Sequence, residues 1–231
     1  MRFQGFSKET VDFLWGIRLN NDRAWYAEHK QECKDVLVTP MNALAQDVLE
    51  AVHAARSDLD FTVHMSRIYR DARRLYGHGP FRDYLWFSLH DAKLERWAGK
   101  PSFWFELGAD SWSYGLGCWD SGASMMRKLR ARINADPAPL RDLSEKLAAQ
   151  DEFMLSGMRY KKMPAGLQHA DLESWYGLRS LSISHEQAVG PVITNEAFGH
   201  RIAEGILFLL PFYDYLYPIG QDPDPILDSE E

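Results

Sequence analysis

No run of about 18 apolar residues, the length that crosses a bilayer, occurs in this chain. The longest, residues 206–210, stops at Pro211. No membrane-spanning segment and no membrane partner are therefore expected. The opening residues, Met1 to Lys8, lack the apolar block of an export signal. Cysteine is scarce: Cys33 and Cys118 stand far apart, with no CxxC pair. A disulfide framework is excluded, and free thiols in a reducing cytoplasm are expected. Positive charge is in deficit, with 26 Lys and Arg against 33 Asp and Glu and a net charge of −7. Whole-surface attraction to nucleic acid or anionic lipid is thereby disfavoured, although a local basic patch is not.

Several kinds of chemistry are missing as well. The eight histidines form no HxH, HExxH or HxxxH pattern, so no metal site is expected. No Walker loop, GxSxG elbow, kinase signature or zinc finger occurs. The lone GxG at Gly115-Leu116-Gly117 lacks the spacing of a dinucleotide site and reads as strand glycines permitting close packing. No cofactor is expected. Cys118 follows it, with nothing nearby in sequence to make it a nucleophile. There is no internal repeat and no Gly/Ser linker.

What is present is an ordinary globular balance, 45% hydrophobic and 26% charged, with 13% aromatic residues to bury. Ser7 caps a first helix with Val11, Leu14, Trp15 and Arg18 at helical spacing. Asn20-Asn21-Asp22 breaks it and caps a second helix, which carries Trp25, Tyr26, His29 and Cys33 along one side. Thr39-Pro40 restarts the chain into a third helix ending near Ser57. The period then shortens to that of strands, over residues 61–69, 84–89, 102–107 and 112–117, with a fifth strand at 181–183. Helices return over 124–133, 139–150 and 196–210, with a helical turn at 171–176. Helices, then a meander, then helices make an α+β fold: N-terminal helices, a central antiparallel sheet of four to five strands, and C-terminal helices packed on it. Residues 1–220 read as a single domain and 221–231 as a disordered acidic tail.

Against the acidic background, residues 67–82 are basic. Arg67, Arg70, Arg73, Arg74 and Arg82 face only Asp71 and Asp83. In an ideal strand Arg67, Tyr69, Asp71 and Arg73 share one face and Arg70 the other; a bend is needed to bring the arginines together. Arginine at a strand end commonly pairs with a carboxylate and does nothing more. Several gathered without one would repel unless an anion joined them, and the guanidinium fork fits phosphate and carboxylate.

Other candidates are weaker. Asn21 and Trp25 either form an interhelical turn with a core anchor or sit at a pocket rim. Lys162, in the loop Lys161-Lys162-x-Pro164-x-Gly166, either faces solvent or folds over an anion. Asp71 and Glu106 are the possible acid/base groups.

The chain resembles a widespread family of bacterial and fungal conserved hypothetical proteins, classed as a domain of unknown function. The likeness begins at Phe3-x-Gly5-Phe6 and Asn20-Asn21-Asp22-Arg23-x-Trp25-Tyr26, with Lys30 and Pro40. It is strongest at Arg67-Ile68-Tyr69-Arg70-Asp71-x-Arg73, and continues at Pro80-Phe81-Arg82, where the family tends to read Pro-Tyr-Lys. Gly115-x-Gly117-x-Trp119, Arg130 and the Lys161 loop complete it, over roughly residues 3–185. Arg74 stands where the family has Phe, and Leu75-Tyr76-Gly77 replaces a lysine-rich run. The resemblance implies an α+β fold and a basic central motif, and brings no reaction with it.

Three readings follow. The first is an anion site formed by Arg67, Arg70, Arg73 and Arg82 with help from Lys162, taking a phosphate- or carboxylate-bearing small molecule or a nucleic-acid end. The second is an enzyme on a phosphorylated or nucleic-acid substrate with Asp71 or Glu106 as base. The third is a structural or interaction protein.

Overall fold

A computed structural model describes residues 2–75, 77–94, 99–118 and 122–222. The expected tail, apart from Gln221 and Asp222, lies outside the described residues, as do Tyr76, Trp119 and residues 95–98 of the connection expected between the second and third strands. The fold is α+β, with a six-stranded sheet in the order β1-β2-β3-β4-β6-β5. The sheet thus exceeds the four to five strands expected. The additional strand, β5 (Met154–Ser156), is three residues long, too short for its alternation to register.

The chain folds as two compact units. The first comprises Met1–Lys93, Phe103–Tyr114 and Glu186–Leu207; the second comprises Leu94–Ser102, Gly115–His185 and Phe208–Glu231.

In the first unit, α1 (Lys8–Leu19) starts where the Ser7 N–H donates to Thr10 Oγ1 at 3.1 Å. The Thr10 hydroxyl in turn donates to the Val36 carbonyl at 2.6 Å. The buried face of α1 is Thr10, Phe13, Leu14 and Ile17. The expected stripe of Val11, Leu14, Trp15 and Arg18 is thus rotated, and Trp15 lies 40% exposed. Asp22 caps α2 (Arg23–Glu32), accepting the N–H groups of Ala24 and Trp25 at 2.8 and 2.9 Å. No break occurs at Thr39-Pro40. A π-helical stretch, Cys33–Val38, leads directly into α3 (Thr39–Ala55). Wider turns there suit a proline that has no N–H to place in the ladder.

Strands β1 (Phe61–Met65), β2 (Tyr84–Asp91) and β3 (Pro101–Gly108) pair antiparallel. Their registers set Phe87 opposite Phe105, Leu85 opposite Leu107 and Leu89 opposite Phe103. All six are buried, each contributing about 1.5–3 kcal/mol of transfer free energy. Phe6 stacks on Phe105 with centroids 6.2 Å apart, and Phe198 packs edge-on to Phe105 and Trp112. Trp112 lies in β4 (Ser111–Cys118) and Phe198 in α7 (Glu196–Leu216).

The second unit holds α4 (Gly122–Ala135), α5 (Ala138–Ala148), β5, the short α6 (Glu173–Tyr176) and the start of β6 (Ser182–Ala188). Its core includes Met126, Leu129, Ile133, Leu140, Leu172, Trp175 and Ile183. Gly115 belongs to this core: a Cβ there would overlap the Ile183 carbonyl, the close approach expected of the strand glycines.

Helix α7 does not stop before Pro211. It continues to Leu216, with Leu209, Leu210, Phe212, Tyr213 and Leu216 all buried. Packing of that apolar face offsets the hydrogen bond that proline removes. Residues Glu196–Gln221 are long and apolar enough to cross a membrane by length and composition. The buried residues along α7 make it a core helix of a folded chain.

Candidate functional site

The ladder between β1 and β2 does not end at Met65. Met65 pairs with Phe87 and, farther out, Tyr69 pairs with Phe81, so residues 66–68 on one strand face residues 82–86 on the other. Two extra residues bulge the second strand. Ser66 marks the slip: its N–H donates to the Trp86 carbonyl at 2.8 Å, and its hydroxyl, not its carbonyl, accepts the Trp86 N–H at 3.0 Å. Beyond it the ladder resumes, with Arg82 N–H to Ile68 O at 2.7 Å and Arg70 N–H to Pro80 O at 2.8 Å. The chain then turns through the short helix Ala72–Arg74, capped by Asp71. We call this extension, residues 66–83, the arm.

The arm distributes its arginines rather than gathering them. Arg73 pairs with Asp71 through two bonds of 3.0 and 2.8 Å, and its side chain is 88% exposed. Asp71 is therefore occupied as cap and counter-ion. Arg82 donates to the Arg67 carbonyl at 2.5 Å and lies 5.9 Å from the Tyr84 ring. Arg67 itself is exposed. Arg70 turns the other way. Its Nε donates to the Phe81 carbonyl at 2.8 Å, and its Nη2 stands 3.8 Å from Asp83 Oδ1. Asp83, placed by the bulge, also holds Arg18 Nε at 2.5 Å.

Arg70 opens into a cleft of about 450 Å³ between α2 and the arm. Helix α2 supplies Arg23, Tyr26, Ala27 and Lys30; the arm supplies Tyr69, Arg70, Ala72, Leu75, Pro80 and Phe81. The three aromatics form one packed group: Tyr26 stacks on Phe81 at 4.3 Å, and Tyr69 lies 5.3 Å from Tyr26 and 5.1 Å from Phe81. Tyr26 and Phe81 are buried, and Tyr69 is half-exposed. Burial, with Cys33 and Tyr69 beside it, raises the Tyr26 phenol well above its ordinary value, so it stays neutral.

Of the residues expected to form a site, Arg70 alone lines this cleft. Asn21 sits behind it, fixing the arm: its Nδ2 donates to Phe81 O at 3.0 Å, and its Oδ1 accepts the Phe81 N–H at 2.9 Å. A Cβ on Gly79 would overlap that Asn21 amide. Trp25 packs on the far side of α2, 4.0 Å from the His29 ring and 5.7 Å from Phe13. Lys162 belongs to an exposed loop of the second unit. Glu106, on β3, has its carboxyl pushed up by burial first, then by Glu186 and Asp83, with Arg82 opposing.

His64 and His90 lie on the paired strands β1 and β2. Burial, and then the neighbouring His64, lowers the pKa of His90. Among the described residues, no three His, Cys, Asp or Glu side chains are placed to hold a metal ion.

Arg23 and Lys30 were absent from the expected site, yet the pattern was visible. Arg23, Tyr26, Ala27 and Lys30 stand at i, i+3, i+4 and i+7, one face of a helix. Reading α2 for its apolar side alone hid a face that mixes cations with an aromatic ring.

A family model described as a conserved hypothetical protein matches residues 9–215. No match was found among curated proteins.

Proposed function

The chain belongs to the conserved hypothetical protein family DUF2461, and we propose that its cleft between α2 and the arm is an anion-binding site. The ligand is a small molecule bearing phosphate or carboxylate, or a nucleic-acid end. One observation carries this reading: Arg23, Lys30 and Arg70 line a single cleft with no carboxylate among its described lining residues. Both α2 cations are exposed. Asp83 stands 3.8 Å from Arg70 outside the lining, so among the described residues the three cations share at most one nearby carboxylate, and an anion entering among them relieves their mutual repulsion. Arg70 is positioned in advance by its bond to the Phe81 carbonyl, so little of its freedom is lost on binding.

Catalysis at this cleft would need a base. Asp71 is committed to Arg73, and Glu106 is not among the residues that line the cleft. The geometry therefore favours binding over chemistry.

Isothermal titration of the full chain with inorganic phosphate, pyrophosphate and citrate tests the proposal. Saturable binding that weakens with added salt is expected. Replacing by Ala the α2 cation at the end the anion occupies, Arg23 or Lys30, should weaken it about three- to tenfold, the worth of one charge-assisted contact. No saturable binding of any of the three anions at low salt would sink the idea.

A further inference from the structure

Resting on that anion reading, we infer that the ligand joins its phosphate to a flat ring: a nucleoside phosphate, either free or at the end of a strand. The lining is cationic at its edges and otherwise apolar or aromatic. Sugar hydroxyls need Asp, Asn, Glu or Gln for their paired donors and acceptors. The described lining residues include none of these, and the Tyr26 hydroxyl faces inward to Cys33 Sγ at 4.0 Å. A polyol phosphate has only hydroxyls to bury there, unmatched; a nucleotide can bury its flat base and leave its sugar hydroxyls in solvent.

Tyr69 is the surface that a ring would meet. It is 50% exposed, and it is braced at 76° against Tyr26 and at 52° against Phe81. An aromatic side chain braced in this way gives a stacking face at little entropic cost.

The charges are spaced to suit. Arg23 and Lys30 are two helical turns apart, about 10.5 Å of rise. One phosphate therefore reaches one end of α2 together with Arg70, leaving Ala27 and the Tyr69 ring for the ligand's flat part. A volume of about 450 Å³ accommodates one nucleotide and lies in the range of small-molecule sites.

Titration of the full chain with inorganic phosphate, ribose 5-phosphate and adenosine 5′-monophosphate tests this. The monophosphate is expected to bind about tenfold tighter than ribose 5-phosphate, the fold-change of one stacked base. Tyr69→Ala should erase that advantage and leave ribose 5-phosphate binding unchanged; Tyr69→Phe should keep it. Equal affinity for the two phosphates on the unaltered chain overturns the inference and leaves the anion reading standing. Failure of every phosphate to bind overturns both. A short deoxyoligonucleotide carrying a 5′-phosphate separates the sources. Tighter binding than the mononucleotide marks a strand end, and weaker binding marks the free nucleotide. Equal binding of the same oligonucleotide without its phosphate overturns the inference.

Discussion

Asn21 and Phe81 are joined as two strand residues would be, although Asn21 lies in the turn between two helices. The carboxamide makes both bonds to the Phe81 backbone, at 2.9 and 3.0 Å, and so ties the arm to the α1–α2 turn. Asn21→Ala leaves the part-buried Phe81 N–H without its partner and the Phe81 C=O with only Arg70 Nε, and should cost about 1–3 kcal/mol. The melting temperature or the denaturation midpoint measures it.

Gly79→Ala acts on the same contact from the other side, since its methyl would displace the Asn21 amide. It should destabilise by a similar amount. Because both substitutions break one contact, the double variant should be little worse than either single one. A double-mutant cycle reads this as a coupling energy; strict additivity would show that the clamp is not shared.

Arg73→Ala should leave both stability and phosphate binding almost untouched. Its pair with Asp71 is exposed and local, and solvent screening leaves such pairs worth little. Arg23→Ala and Lys30→Ala carry the same loss of charge, and at least one of them, at the end of α2 that holds the anion, should weaken phosphate binding. Contrasting these with Arg73→Ala by titration separates the cleft from the general basicity of the segment.

Glu106→Gln should stabilise the chain at neutral pH. The folded state raises this carboxyl above its ordinary value of 4.5, so the folded chain holds the proton more tightly than the unfolded one. The stability it lends is complete below pH 4.5 and is lost as pH climbs through the raised value. The variant's gain in melting temperature should therefore be small at pH 4 and full at pH 7; a gain larger at pH 4 would contradict the assigned surroundings of Glu106.

Neither thiol should react in the native state. Burial pushes Cys33 up to about 11 and Cys118 up to about 12, so the thiolate that reacts is scarce at pH 8. A chromogenic disulfide reagent should find both cysteines only after denaturant is added.

The sheet was largely legible because β2 and β3 are rich in aromatic and aliphatic residues, with Leu85, Phe87 and Leu89 facing Leu107, Phe105 and Phe103. Asp22 was legible as a cap for the same local reason. What escaped depended on distant packing. The burial of Phe212 and Leu216 carries α7 past Pro211, and no neighbouring residue announces it. The site divides in the same way. Strand periodicity set Arg70 apart from Arg67 and Arg73 and made a bend the condition for convergence. In the structure the arginines do not converge: Arg70 lines the cleft beside α2, and neither Arg67 nor Arg73 does. The partners of Arg70 there, Arg23 and Lys30, lie 47 and 40 residues earlier in the chain, where only their helical spacing could point to them.

The outermost strands have a bearing on how the chain behaves in a crowd. β1 and β5 end the sheet, and they span five and three residues, less than the eight of β2, β3 and β4. Among the described residues, each border strand thus offers an incoming strand only a few backbone groups in regular register, since beyond Met65 the bulge interrupts the ladder. Short rims give two copies of the chain little length over which to zip together, so the sheet's own borders limit its growth.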